Sequence, residues 1–243
     1  MHARIVSLLA AALAVSMLLA GCAPAANTPP ATDTPSAAGT PSSAAAPNDA
    51  ETEALALYRA FFQGDASAAA MAIGYGTPAS SASFSAPDTY STCAPAGVAG
   101  DWTIRRFVKM DLDGDGVSEL ILSLEQNGEE EYAILTSFNG ALYSNELVYR
   151  AFLQPKADGT FAWSNGAMDN GYARAAFGQG VLVEDCIASR LDTADGTTCM
   201  LNGKTATQAE YDAFSAEQDA KPELPWTAFD GDAIAAVLEK QAE

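Results

Sequence analysis

The sequence predicts an α+β fold: an antiparallel β-meander sheet with one N-terminal and two C-terminal helices, forming a single domain over residues 51–243. Three observations carry this reading. An amphipathic helical stripe precedes a long block of short apolar segments. Those segments are separated by turns such as Asn139-Gly140, and connections this short join antiparallel neighbours. Helix-starting signals reappear only after the last strand-like segment.

The first helix spans Glu51 to Phe62, with Leu55, Tyr58 and Phe62 on one face and Gly64 as its stop. Ala66 to Ile73 reads as a short alanine-rich helical turn, and Gly74 to Gly100, rich in Ser, Ala, Pro and Gly, as an irregular loop. Trp102, Ile104, Val108 and Met110 then share one face of a strand, and Glu119 to Leu124 makes the next. Glu131 to Phe138 and Leu142 to Tyr149 flank Asn139-Gly140, a hairpin signal because both central residues of such a turn need positive φ. Thr160 to Trp163, Tyr172 to Phe177, Val181 to Ile187 and Thr198 to Leu201 add short strands, with Gly178-Gln179-Gly180 as a tight turn. Thr207-Gln208-Ala209-Glu210 has capping-box spacing and starts a helix to about Gln218. After Pro222 and Pro225 a last helix covers Asp232 to Lys240.

Ahead of the domain the composition changes twice. Residues 1–21 carry Arg4, an apolar run from Ile5 to Ala20 broken only by Ser7 and Ser16, and then Leu19-Ala20-Gly21 before Cys22. A charged start, a short apolar centre and small residues before a cysteine make an export signal, shorter than the roughly 20 apolar residues of a spanning helix. The Leu-Ala-Gly-Cys run resembles the lipobox of bacterial lipoproteins, which implies cleavage before Cys22, a lipid on that residue and a cell-membrane anchor facing the extracytoplasmic side. Residues 22–50 are almost wholly Ala, Pro, Thr, Ser and Gly, the composition of a disordered stalk.

The formal charge is −19, and losing residues 1–21 removes Arg4 and no acid, leaving −20. Such a surface repels phosphate backbones and excludes nucleic acid as a partner. The single histidine, His2, falls inside the export segment. A histidine-free domain excludes Ser-His-Asp triads, Cys-His pairs and histidine-ligated zinc, and leaves chemistry by carboxylates, Lys or Tyr, or by an oxygen-ligated metal.

Besides Cys22 there are Cys93, Cys186 and Cys199. Cys186 and Cys199 flank a turn around Leu191 to Gly196, and a hairpin there admits a disulfide between them if the register puts both sulfurs on one face. Cys93 would then be a packed free thiol.

One motif carries chemistry. In the loop 111–119, Asp111, Asp113, Asp115 and Glu119 stand at positions one, three, five and nine around Gly116 at six. Alternate carboxylates on a sharply turning loop converge on one point, and calcium takes about six to eight oxygens. The expected ligands are the side chains of Asp111, Asp113 and Asp115, the carbonyl of Val117, and Glu119 directly or through water. Against this stands a solvated turn in which the aspartates only cap backbone amides. Position twelve, a bidentate glutamate in EF-hands, is Leu122, and the flanks alternate as strands. The loop resembles the strand-loop-strand calcium motif of FG-GAP and VCBS-type repeats over about Phe107 to Leu124, but occurs once. More loosely, the order of helix, acidic loop, Asn-Gly hairpin, Asp158-Gly159-Thr160-Phe161 turn, Asn202-Gly203-Lys204 turn and capped helix resembles uncharacterised surface lipoproteins of Gram-positive anaerobes, which implies a surface role.

The function expected is therefore a non-enzymatic surface module with a structural calcium ion, binding a protein or glycan partner. The alternative is a metal- or carboxylate-dependent hydrolase of envelope polysaccharide or peptidoglycan. The aromatics Trp102, Trp163, Trp226, Tyr132, Tyr143, Tyr149 and Tyr172 are read as core and not as a sugar groove, and Glu129-Glu130-Glu131 as a solvated edge. A two-lobed solute receptor does not fit, because its lobes need alternating strands and helices.

Overall fold

The computed structural model describes residues 49–72, 78–85, 87–92, 100–147 and 150–239. Residues 1–48, on which the expected export signal, Cys22 and nearly all of the expected stalk fall, lie outside the described residues, as do Cys93 and Tyr149. Helix α1 (Asp49–Phe62) is followed by β1 (Ala68–Ala72), β2 (Pro78–Ser85), β3 (Thr89–Thr92), β4 (Gly100–Met110), β5 (Glu119–Gln126), β6 (Glu129–Phe138) and β7 (Ala141–Leu147). Then come β8 (Thr160–Gly166), β9 (Asp169–Gly178), β10 (Val181–Thr193), β11 (Gly196–Leu201), β12 (Lys204–Ala206), α2 (Gln208–Asp219), β13 (Thr227–Ala228) and α3 (Gly231–Glu239).

The class is α+β, but the first sheet is a barrel and not an open meander. Its strands run β4-β3-β2-β1-β7-β6-β5, and β4 pairs with β5 to complete a seven-stranded ring. Closure depends on one parallel pairing, from Ala69 opposite Tyr143 to Ala72 opposite Glu146. The alanine run expected to be a helical turn is thus β1. Alanine favours helix intrinsically, but here β2 and β7 flank the segment and take up its backbone groups on both sides. Strands β2 and β3 likewise occupy part of the stretch read as an irregular loop. Their serines, alanines and threonines carry little intrinsic β-preference, and cross-strand context decides. The second sheet, β12-β11-β10-β9-β8, is the expected antiparallel meander.

Burial explains the layering. Successive residues of β5 point to opposite faces, so Leu120, Leu122 and Leu124 join the barrel core while Ile121 joins a second core. The barrel core also takes Leu55, Tyr58 and Phe61 from α1 and Ile234 and Leu238 from α3. The second core lies between the barrel's outer face (Val108, Ile121, Ile134, Leu147) and the second sheet (Phe161, Ala173, Ala175, Leu182). Helix α2 buries Tyr211 against Ala188 and Cys199 on a third, smaller cluster.

Local chemistry sets the turns and caps. Asn139 and Gly140 take φ of 50° and 72°, as the two-residue hairpin joining β6 to β7 requires. Thr207 caps α2: its hydroxyl accepts from the Glu210 amide, and the Glu210 carboxylate accepts from the Thr207 amide. A polar pin crosses the second core. Asn145, fully buried on β7, accepts from the Leu182 amide at 2.8 Å and donates to the Gly180 carbonyl at 3.1 Å.

The aromatic residues serve packing. Trp102 is in the barrel core; Trp163, Tyr132 and Trp226 pack on the second core; and Trp226 lies under the Arg106 guanidinium at 4.5 Å. No helix among the described residues is long and apolar enough to cross a membrane.

Candidate metal centre

The site is built by the junction of β4 and β5, whose last cross-strand pair is Met110 with Glu119. Residues 111–118 must therefore reverse the chain between two paired strands. Gly116 meets that demand with φ of 88°, a conformation a side chain resists. The reversal gathers the carboxylates: one oxygen each from Asp111, Asp113 and Asp115 lie within 4.8 Å of one another, with Asp111 and Asp115 exposed and Asp113 half-buried. This group could hold a metal ion.

The same carboxylates organise the loop. Asp111 accepts from the Gly114 amide at 2.8 Å and the Gly116 amide at 3.0 Å. Asp113 accepts from the Asp115 amide at 3.2 Å, and Asp115 from the Val117 amide at 2.7 Å. The amide-capping arrangement and an ion site are compatible, since a carboxylate has about four lone-pair positions and these bonds use one or two. Burial raises the Asp113 carboxyl above the usual aspartate range, with Asp115 and Asp111 adding repulsion.

Glu119, another expected ligand, is placed differently. Glu119 is not among the clustered oxygens; it is 4% exposed, and one of its oxygens accepts from the Leu112 amide at 2.8 Å. Burial lifts its carboxyl to about 8; the Leu112 bond opposes that rise, and the charges of Asp113, Asp115 and Asp111 add to it. Val117 donates its amide to Asp115, and its side chain packs on the barrel core.

Neighbours that the sequence did not single out surround the loop. From α1, Glu51 accepts from the Ser118 amide at 2.7 Å and hydroxyl at 3.1 Å, and pairs with Lys109 at 3.1 Å. Tyr58 donates to the Ser118 carbonyl at 2.9 Å. From the second sheet, the Phe177 amide donates to Asp113. A Cβ at Gly159 would lie 2.4 Å from the Leu112 carbonyl oxygen, so the 157–160 turn sits directly against the loop. No local signal marks Glu51 or Tyr58, which lie 67 and 60 residues before Ser118.

The cysteine pairing needs correction. Cys199 is a buried free thiol that donates to the Gln208 side-chain oxygen, while Cys186 is disulfide-bonded. The hairpin register puts Arg190, not Cys186, opposite Cys199, which leaves the two sulfurs four residues apart along β10. At about 3.3 Å per residue this exceeds any disulfide span. The sulfur bonded to Cys186 lies outside the described residues.

No protein family matches this chain, and neither do the curated proteins or the solved structures with which it was compared. Fold and site together define an α+β domain, a closed barrel backed by a second sheet, with an acidic loop able to hold a metal ion where the barrel meets α1 and that sheet.

Proposed function

We propose that this protein is an extracytoplasmic lipoprotein, anchored through an acyl group on Cys22, whose loop binds calcium as a structural ion and whose domain serves as a surface binding module for a protein or glycan partner. The observation that carries the reading is the convergence of three aspartate oxygens within 4.8 Å at the junction of α1, the barrel and the second sheet. The donors are all oxygen, and hard divalent cations prefer oxygen. Asp111, Asp113 and Asp115 would hold the ion, with the Val117 carbonyl, and with Glu119 directly or through water. The ion would supply positive charge where four carboxylates crowd, and so hold β4 and β5 together. A structural role suits a loop contacted from α1 and from the second sheet.

Titration calorimetry of calcium into wild type and an Asp113→Ala, Asp115→Ala double variant tests the metal. Binding heat in the first and none in the second supports it; equal, negligible heats in both remove it. Metabolic labelling with a fatty acid, lost in Cys22→Ala, tests the anchor.

A second reading, a metal- or carboxylate-dependent hydrolase of envelope polysaccharide or peptidoglycan, has one observation in its favour: the Glu119 carboxyl, raised to about 8, is in the range of a general acid. Its burial and its bond to the Leu112 amide weigh against contact with a polymer. Turnover on such polymers that vanished in Glu119→Gln would establish it.

A further inference from the structure

We propose that the barrel interior, at the end away from α1, is a binding site for a small organic amine: the Glu146 carboxylate takes the ammonium group, and Tyr90, Thr92 and Trp102 surround it. The site is separate from the acidic loop and does not depend on an ion there.

Leu142 packs in the barrel core, and alternation along β7 carries Ser144 and Glu146 to the same interior face. Glu146 is fully buried. Its Oε1 accepts from the Tyr90 hydroxyl at 2.8 Å, and that hydroxyl in turn accepts from Ser144 at 2.8 Å. The Thr92 hydroxyl donates to the same carboxyl, yet Oε2 is buried without a hydrogen-bond partner. Among the described residues no basic side chain offsets the charge: burial raises the carboxyl above its usual range, and only the Thr92 and Tyr90 hydroxyls oppose that rise. Trp102 stands opposite Tyr90 across β3 and β4, and its Nε1 is likewise buried without a partner. One interior thus holds an acceptor lacking a donor and a donor lacking an acceptor, on two residues that both adjoin Tyr90.

A carboxylate withdrawn from water without a positive partner is among the costliest arrangements in a protein interior. Protonation removes the charge but leaves an Oε2 hydroxyl with nothing to donate to, and a water supplies hydrogen bonds but no charge. An ammonium group supplies both, and aromatic neighbours such as Tyr90 and Trp102 suit an organic cation. Trp102 Nε1 calls for an acceptor on the same molecule, so the class is an amine that also carries a hydroxyl or carbonyl oxygen. Short side chains flank the site: Ala133 is opposite Glu146, and Ala82 is opposite Thr92. Glu53 of α1 lies against Gly140 at the other end of β7, so the helix does not occupy this end of the barrel. The net charge of −19 draws cations toward the domain.

Ethanolamine is the probe, its ammonium group for Glu146 and its hydroxyl for Trp102. The full chain is equilibrated with it in neutral buffer before heating, because the site is closed to solvent. A saturable rise in Tm is expected, about 3–6 °C at a tenfold excess over Kd. Ethylene glycol, which has a hydroxyl in place of the ammonium group, should shift Tm by less than about 1 °C at the same concentration, and so should ethanolamine on Glu146→Gln. If Glu146→Gln does not fold, the comparison of the two probes on wild type decides alone. No ethanolamine shift in wild type overturns the site. An equal shift from ethylene glycol overturns the role of charge, and a full shift retained in Glu146→Gln overturns the assignment to that carboxylate. None of these outcomes bears on calcium binding by the loop.

Discussion

Replacing Asp113 with asparagine should change the sign of its effect with calcium. The three clustered oxygens lie within 4.8 Å of one another, so Asp113 faces two like charges at that range or closer. In water each such pair repels by about 0.9 kcal/mol, and at physiological salt, with a screening length of about 8 Å, by about 0.5 kcal/mol. The asparagine side chain keeps an oxygen for the Asp115 amide and removes the charge, which relieves about 1 kcal/mol of repulsion in the ion-free protein. For a domain of this size that is about 2–4 °C in Tm. With calcium at a hundredfold excess over Kd, wild type gains about 2.7 kcal/mol, equivalent to roughly 5–11 °C. The variant should lose most of that gain. Thermal unfolding followed by circular dichroism, in chelator and then in calcium, should show Asp113→Asn melting above wild type in the first and below it in the second. Identical melting of both proteins in both buffers would refute convergence on an ion.

Three other outcomes follow from the packing. Burial raises the Glu146 carboxyl above the ordinary glutamate value of 4.5, and one of its oxygens is buried without a hydrogen-bond partner. A raised acid penalises the fold once ionised: the penalty is absent below the unfolded value and complete above the folded one. Denaturant unfolding should therefore show stability increasing as pH falls from the raised value toward 4.5. A slope unchanged in Glu146→Gln would count against that assignment. Asn145→Ala leaves the Leu182 amide unpaired between barrel and second sheet, while the Gly180 carbonyl keeps its bond from the Thr136 hydroxyl, and should cost about 1–3 kcal/mol in urea unfolding; a loss under about 0.5 kcal/mol would mean the pin is dispensable. Non-reducing peptide mapping should find Cys199 alkylated only after denaturation and Cys186 joined to a cysteine other than Cys199; a Cys186–Cys199 peptide would contradict the hairpin register.

The acidic loop, the Asn-Gly hairpin and the capped helix were readable from the sequence because each is decided within a few residues. Aspartates two apart on a loop with a left-handed glycine have little choice but to converge, and Asn139-Gly140 suits one turn type. Thr207 and Glu210 satisfy each other's amides across three positions. The second sheet followed from strands joined by short turns. Strand β1 was misread for the opposite reason: five residues of alanine and methionine hold no local preference for a strand.

The amino-acid sequence alone determined the charge, the absence of histidine beyond residue 2, the loop's oxygen donors and the α+β class, all of which follow from composition or short-range geometry. The tertiary structure decided the barrel, the free state of Cys199, the burial of Glu119 and the grip of Glu51 and Tyr58 on Ser118. Each of these depends on which face of a strand meets which partner, often across 60 residues or more. That choice is made by simultaneous packing of three cores, and no window of sequence contains it.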